Sequence, residues 1–307
     1  MTKPRVAFFA SPAFSLPVLE AIRREFEVVL VVAQPDKPVG RGLKLTPPPI
    51  AARARELGLA LLQPSKLRNN PDFAQALRDS GADVAVTCAY GKILPASLLE
   101  LPRFGFLNVH TSLLPKYRGA APIQWAIISG ETTTGVTIMQ TDVGMDTGAI
   151  CLTGELTIGV EETSLELAPR LALLGADLIV QALHNLENLV FVPQNHDLAS
   201  HARMLVKDDG RIDWTLPAIL SFNQFRGVAG WPGSFTHHQS KLLKVHAMRI
   251  SSGHGQLGQI LRLETGVVVA TQNGALELLE VQPEGKPRLP ALEWVKGYQI
   301  KIGTVLS

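Results

Sequence analysis

Asn108-Val109-His110-Thr111-Ser112-Leu113-Leu114-Pro115-Lys116-Tyr117-Arg118-Gly119-Ala120-Ala121-Pro122, resumed at Asp142-Val143-Gly144-Met145-Asp146-Thr147-Gly148, is the stretch on which the fold is read. Phe106 to His110 predicts a short buried strand, and alternation puts Asn108 and His110 on one side of it. The strand gives out into a loop ending at Pro115, so an amide and an imidazole stand together at a strand's carboxyl end. In open α/β sheets ligands bind there. Asp146 follows on a glycine-flanked turn, and the three polar side chains are candidates for a single site.

Outward from this stretch the chain alternates strands and helices. Strands are predicted at Val6–Ala10, Val28–Ala33, Leu59–Gln63, Asp83–Ala89 and Thr133–Gln140. Helices are predicted from Ser15 to about Glu25, near Ile50–Leu57 and Pro71–Ser80, over Ala120–Ser129, and from Thr163 to about Leu186. Thr163 and Glu166 stand in capping-box positions for the last helix, where Pro169 should kink it or delay its start. Repeated units of this kind imply a mainly parallel sheet covered by helices. Between the second strand and the next helix, Gln34 to Pro49 holds five prolines and Gly40-Arg41-Gly42, and reads as neither strand nor helix. A loop of that length inside a compact domain is usually functional or disordered.

Asn188 to about Val206 reads as a linker. Beyond it the pattern changes to short alternating runs, Ser240–Ala247, Gly258–Leu263, Gly266–Thr271 and Ala275–Val281, separated by Gly, Asn and Pro. That is the pattern of a small β-barrel. The division expected is therefore 1–188, a connecting segment 189–206, and 207–307.

Bulk properties narrow the function class. With 307 residues, 46% apolar and 18% charged, the chain fits two domains with sizeable cores. A net charge of +2 is not that of a membrane-surface or histone-like protein. From Lys207 onward, however, 11 Lys and Arg oppose 8 Asp and Glu, against 18 and 19 before it. The second domain is thus mildly basic. Two cysteines far apart, Cys88 and Cys151, give neither a disulfide framework nor a zinc site, and with no signal peptide or long apolar span a soluble cytoplasmic protein is expected.

A histidine at a strand end is commonly structural, and Asp beside Gly commonly makes an Asx turn. Asn108 beside His110 on one face moves the balance toward chemistry. No second His or Cys stands at metal-ligand spacing, no nucleophile elbow surrounds Ser112, and Gly40/Gly42 matches neither a P-loop nor a dinucleotide fingerprint. Acyl transfer from a bound donor to a bound amine suits Asn, His and Asp without nucleophile or metal. Asn108 and protonated His110 would stabilise the developing oxyanion, and Asp146 would take the proton of the amine.

These same segments, with Gln34-Pro35-Asp36, Gly40-Arg41-Gly42 and Asp209-Gly210-Arg211-Ile212-Asp213-Trp214, resemble the 10-formyltetrahydrofolate-dependent formyltransferases. Over its whole length the chain is most similar to the branch that formylates methionyl-tRNA. The resemblance implies a Rossmann-like, mainly parallel α/β formyltransferase domain followed by a small OB-like β-barrel that binds tRNA. It implies formyl transfer from 10-formyltetrahydrofolate, without a metal, to the methionine of initiator methionyl-tRNA. Catalysis would fall on Asn108, His110 and Asp146. Folate would meet Ser112, Leu113, Leu114 and Pro115, with Ala89, Tyr90, Ile93 and Asp142 lining the pterin pocket. Arg41 and Lys44 would contact tRNA, and a monomer is expected. The chain departs from the family pattern at Leu43, where a second basic residue is usual, and at Ala229-Gly230, where Asn-Pro is usual. Two rivals are a formyltransferase acting on a small amine and a folate- or RNA-binding protein without catalysis.

Overall fold

The computed structural model describes residues 3–40 and 43–307. The chain forms two compact units: residues 1–122, 133–157 and 168–203 in the first, and 123–132, 158–167 and 204–307 in the second.

The first unit is built on a seven-stranded sheet. Its strands are β1 (Arg5–Ala10), β2 (Glu27–Val32), β3 (Leu61–Leu62), β4 (Val84–Cys88), β5 (Phe106–His110), β6 (Thr133–Gln140) and β7 (Ile150–Thr157). Their order is β7-β6-β5-β4-β1-β2-β3. Pairing from β3 to β5 is parallel, and β6 and β7 run antiparallel. The parallel strands are near-continuous apolar runs, as strands covered on both faces must be. β1 buries Val6 through Ala10 completely. Phe9 sits edge-on to Phe73, Tyr90 and Phe106, with centroids 6.3, 5.5 and 5.1 Å away. Leu30, Val32 and Leu77 complete that cluster.

β7 was not anticipated. It is an edge strand, half-exposed and interrupted by Gly154, so its alternation is weak. The segment read as non-regular also differs: Lys37–Val39 and Lys44–Thr46 pair antiparallel as a hairpin. Its proline suits an edge, where a ladder donor is not required.

The helix Ser164–His184 runs through Pro169 without a later start. Glu166 accepts from the Thr163 amide at 2.9 Å, half of the anticipated capping box. A Cβ on Gly175 would stand 2.7 Å from Val109, so glycine lets this helix lie close on β5 and β6. By length and composition the helix could cross a membrane, contrary to the reading of no long apolar span, yet half of its most apolar window is buried. Val109 faces the helix, whereas Asn108 and His110 point to the other side of the sheet.

The second unit is antiparallel. Strands β8 (Ser234–His238), β9 (Lys241–Ser251), β10 (Ile260–Leu263), β11 (Val267–Ala270) and β12 (Ala275–Pro283) are ordered β8-β9-β12-β11-β10. Trp214, Phe222, Leu243, Val269, Leu278 and Trp294 are buried in its core. Two helices unforeseen in the sequence, Ala218–Gly227 and Ala291–Gly297, supply Phe222 and Trp294. Arg226 reaches back from the first to the carbonyls of Gly159 and Glu162, at 3.1 and 2.9 Å.

Candidate active site

The site lies at the carboxyl end of β4 and β5. Their parallel register sets Thr87 beside Asn108. The Thr87 hydroxyl donates to Asn108 Oδ1 at 2.8 Å. The orientation of the amide follows from Asp146, because a carboxylate oxygen only accepts and so faces Nδ2, whereas a hydroxyl can donate or accept. Asn108 Nδ2 is thereby turned outward, and donates to Asp146 Oδ1 at 3.4 Å.

His110 is 5% exposed. Its Nε2 lies 3.0 Å from the Tyr117 carbonyl, which only accepts, so Nε2 carries a hydrogen. Nδ1 is left facing Asp146 Oδ1 at 3.6 Å. Asp146 adopts a left-handed φ of 53°, and its Oδ2 accepts from the Gly119 amide at 2.9 Å. One carboxylate oxygen is thus pinned by backbone, while the other meets the amide and the imidazole together. The three predicted side chains converge.

Behind this cluster two loops are tied to each other. Gln194, 7% exposed, donates from Nε2 to the Asp146 and Gly148 carbonyls at 3.0 and 2.8 Å. Its Oε1 accepts from Nε and Nη2 of buried Arg118 at 3.1 and 2.6 Å. Arg118 also donates to His196 Nδ1 at 3.1 Å. The backbone of Arg118–Gly119 pairs with His201–Ala202 in parallel. A Cβ on Gly119, whose φ is +121°, would stand 2.6 Å from the Ala202 carbonyl oxygen, so only glycine fits.

The loop Ser112–Pro115 leaves β5 at the same edge and is anchored to β6. Buried Thr137 donates to the Ser112 carbonyl at 2.7 Å and accepts from the Leu114 amide at 3.1 Å. The Ser112 hydroxyl turns inward to the Lys116 carbonyl at 2.6 Å, and the Leu113 side chain lies over Gly135. Leu114 is 7% exposed, and the Leu114–Pro115 bond is cis.

After β4, Ala89 is exposed with a φ of 49°, and Ile93 is largely exposed. The Tyr90 side chain is packed into the core, its hydroxyl without a partner among the described residues, and burial pushes the phenol up to about 12. Its carbonyl accepts from Gln34 Nε2 at 2.8 Å. Asp142 is exposed and caps its own turn through the Gly144 amide and the Thr147 hydroxyl, at 3.0 and 2.8 Å. The loops that follow two adjacent parallel strands thus leave the sheet at the same end as the strand that bears Asn108 and His110.

Lys44 stands on the exposed second strand of the Lys37–Thr46 hairpin, and Arg41 lies outside the described residues. At the base of the hairpin Asp36 accepts from Gln63 Nε2 at 2.7 Å and from Arg55 at 3.3 Å. Among the described residues no group of three His, Cys, Asp or Glu could hold a metal ion.

Thr87 and Gln194 carry no signal in the sequence. One depends on the pairing register of two strands, and the other is a lone glutamine far along the chain.

Comparison with known proteins places these features. Residues 4–183 match the family described as formyl transferase, and residues 204–299 match the formyl transferase C-terminal domain. A methionyl-tRNA formyltransferase of Deinococcus radiodurans is 61% identical over 301 residues, covering 98% of this chain and 95% of its own. One of Thermus thermophilus is 45% identical over 304 residues, covering 99% of each chain. Among solved structures, an N-formyltransferase of Helicobacter canadensis in complex with folinic acid and dTDP-3-aminofucose shares the fold. Its TM-score is 0.68 at 17% identity, over 92% of this chain and 100% of that one. HypX of Aquifex aeolicus in complex with tetrahydrofolic acid gives a TM-score of 0.65 at 16% identity over 98% of this chain. The chain spans about half the length of HypX, 48%.

Proposed function

The chain belongs to the methionyl-tRNA formyltransferases, and from that membership we propose that it formylates the amino nitrogen of methionine on initiator tRNA. 10-Formyltetrahydrofolate, when bound, supplies the formyl carbon. The observation that carries the assignment of roles is the meeting of Asn108 Nδ2 and His110 Nδ1 on one oxygen of Asp146, at 3.4 and 3.6 Å.

Asn108 Nδ2, which carries two hydrogens, and the Nδ1 edge of His110 are assigned to the formyl oxygen as it gains charge during attack by nitrogen. Removing one such donor typically costs about 10²–10³ in rate. Asp146 Oδ1 takes the proton that the attacking nitrogen gives up, directly or through a water, and a proton goes to the folate nitrogen as its bond to the formyl carbon breaks; such acid–base help contributes roughly 10²–10⁴. Thr87, Tyr117 and Gly119 hold these groups in place before substrate arrives, and pre-set donors stabilise charge without reorganisation at the moment of reaction.

Folate is assigned to the loops Ser112–Pro115 and Ala89–Ile93, with Asp142 beside them. Tyr90 contributes through its backbone. Arg41 and Lys44 are assigned to the tRNA acceptor end, Lys44 because it is exposed on a hairpin with a fixed base. We read residues 1–188 as the Rossmann-like catalytic domain and 207–307 as an OB-like, mildly basic domain that holds tRNA through phosphates. Residues 189–206 connect them while packing Gln194 and His201–Ala202 onto the first unit, and a cytoplasmic monomer is expected. The test is formyl transfer from 10-formyltetrahydrofolate to charged initiator tRNA, with a small amine as competing acceptor. Transfer to the small amine and none to tRNA would overturn the reading.

A further inference from the structure

We infer that Gln194 is a positioning residue for the carboxylate of Asp146, an inference that rests on the reading of Asp146 as proton acceptor. Every polar atom of its buried carboxamide is engaged. The two Nε2 hydrogens go to the carbonyls of Asp146 and Gly148, at 3.0 and 2.8 Å, and Oε1 receives two bonds from Arg118. The orientation of the amide is fixed by its partners, since carbonyls only accept and a guanidinium only donates.

What Gln194 joins matters more than how many bonds it makes. On one side is the turn bearing Asp146, whose φ of 53° is a left-handed conformation uncommon for residues other than glycine. On the other side is Arg118. Its chain neighbours give the two backbone contacts of the site: Tyr117 accepts from His110, and Gly119 donates to Asp146 Oδ2. A single amide therefore sets the spacing between the carboxylate and the loop that aims it. Without those bonds the Asp146 turn is released from the loop of Arg118, and Oδ1 is no longer held against Asn108 and His110. The folate loops Ser112–Pro115 and Ala89–Ile93 and the Lys37–Thr46 hairpin take no bond from Gln194, and Asp142 is held by its own turn through Gly144 and Thr147, so the loss belongs mainly in kcat.

Steady-state and single-turnover formyl transfer, with thermal midpoints, are measured for wild type, Gln194→Met, Asp146→Asn and the double variant. Methionine keeps the length of the side chain and removes its hydrogen bonds. The expected result is a fall in kcat of about 10–100-fold, the size typical of losing a partner that orients a functional group, with KM for both substrates within about twofold. In the Asp146→Asn background the same replacement should change kcat by no more than about twofold, because residues acting as a unit are not additive. An unchanged kcat in Gln194→Met overturns the inference. So does a loss of equal factor in both backgrounds, which marks a general structural role. Should Gln194→Met fail to fold, Gln194→Glu keeps an acceptor for Arg118 but turns lone pairs toward the two carbonyls, and the same kcat pattern is expected. A wild-type rate in Asp146→Asn would remove the proton-acceptor reading itself, and this inference with it.

Discussion

Replacing Thr87 by valine keeps the shape of a buried β4 residue and removes one hydroxyl. That hydroxyl donates to Asn108 Oδ1 at 2.8 Å and supports the observed orientation of the amide from below. A neutral hydrogen bond of this kind contributes about 0.5–1.5 kcal/mol net. The Asp146 carboxylate, 3.4 Å from Nδ2, still disfavours the flipped amide, which would oppose oxygen to oxygen. With the hydroxyl gone, the observed orientation is less favoured by the energy of the lost bond, a factor of about 2–13 in the ratio of the two orientations, and kcat should fall measurably but by no more than that factor. Deleting the amide altogether, as in Asn108→Ala, should cost about 10²–10³. The assay is steady-state formylation of charged initiator tRNA at saturating folate, with the thermal midpoint of each variant as a control. If Thr87→Val turns over at the wild-type rate while Asn108→Ala is crippled, the amide is oriented by something other than Thr87. If both are unimpaired, Asn108 is not an oxyanion donor.

Gly119→Ala should be severe, since its Cβ would meet the Ala202 carbonyl at 2.6 Å in a left-handed conformation; a loss of about 1–3 kcal/mol by urea titration and a lower kcat are expected. Lys44→Ala should raise KM for tRNA, leave KM for folate unchanged, and flatten the salt dependence of tRNA use by about one unit of log–log slope. In the second unit, burial would push the Glu277 carboxyl up, but hydrogen bonds from Thr265 and Arg249, at 2.6 and 2.7 Å, hold it below its ordinary value. Its contribution is then complete above an unfolded value of about 4.3 and drains away as pH falls through the lower folded one. Glu277→Gln should accordingly differ most from wild type in thermal midpoint near neutrality and least at about pH 3; a constant difference would refute this.

The parts of the fold read correctly are those where burial and period agree. Phe106–His110 and Thr133–Gln140 fall on strands with those bounds, because their apolar runs are sealed on both faces. β7 escaped because its residues are half-exposed around Gly154, and the hairpin at Lys37–Thr46 was hidden by proline, which lowers strand propensity without excluding an edge. Within the site, Asn108 and His110 were legible from their shared face, and Asp146 from its turn. Their supports were not. Thr87 matters through a register that no local pattern encodes, and Gln194 through a contact spanning 48 positions to Asp146. Tyr90 shows the opposite limit: its position after β4 was read, but the direction of its ring was decided by the apolar space beside Phe9.

The second unit is assembled partly from pieces that lie inside the first along the chain, 123–132 and 158–167. A ribosome therefore exposes them well ahead of the residues that bury them. The carbonyls of Gly159 and Glu162 wait for Arg226 while roughly sixty residues are added, about 3–12 s at typical elongation rates. During that interval the two carbonyls are left to water, and the second unit cannot close until the residues around Arg226 have been made.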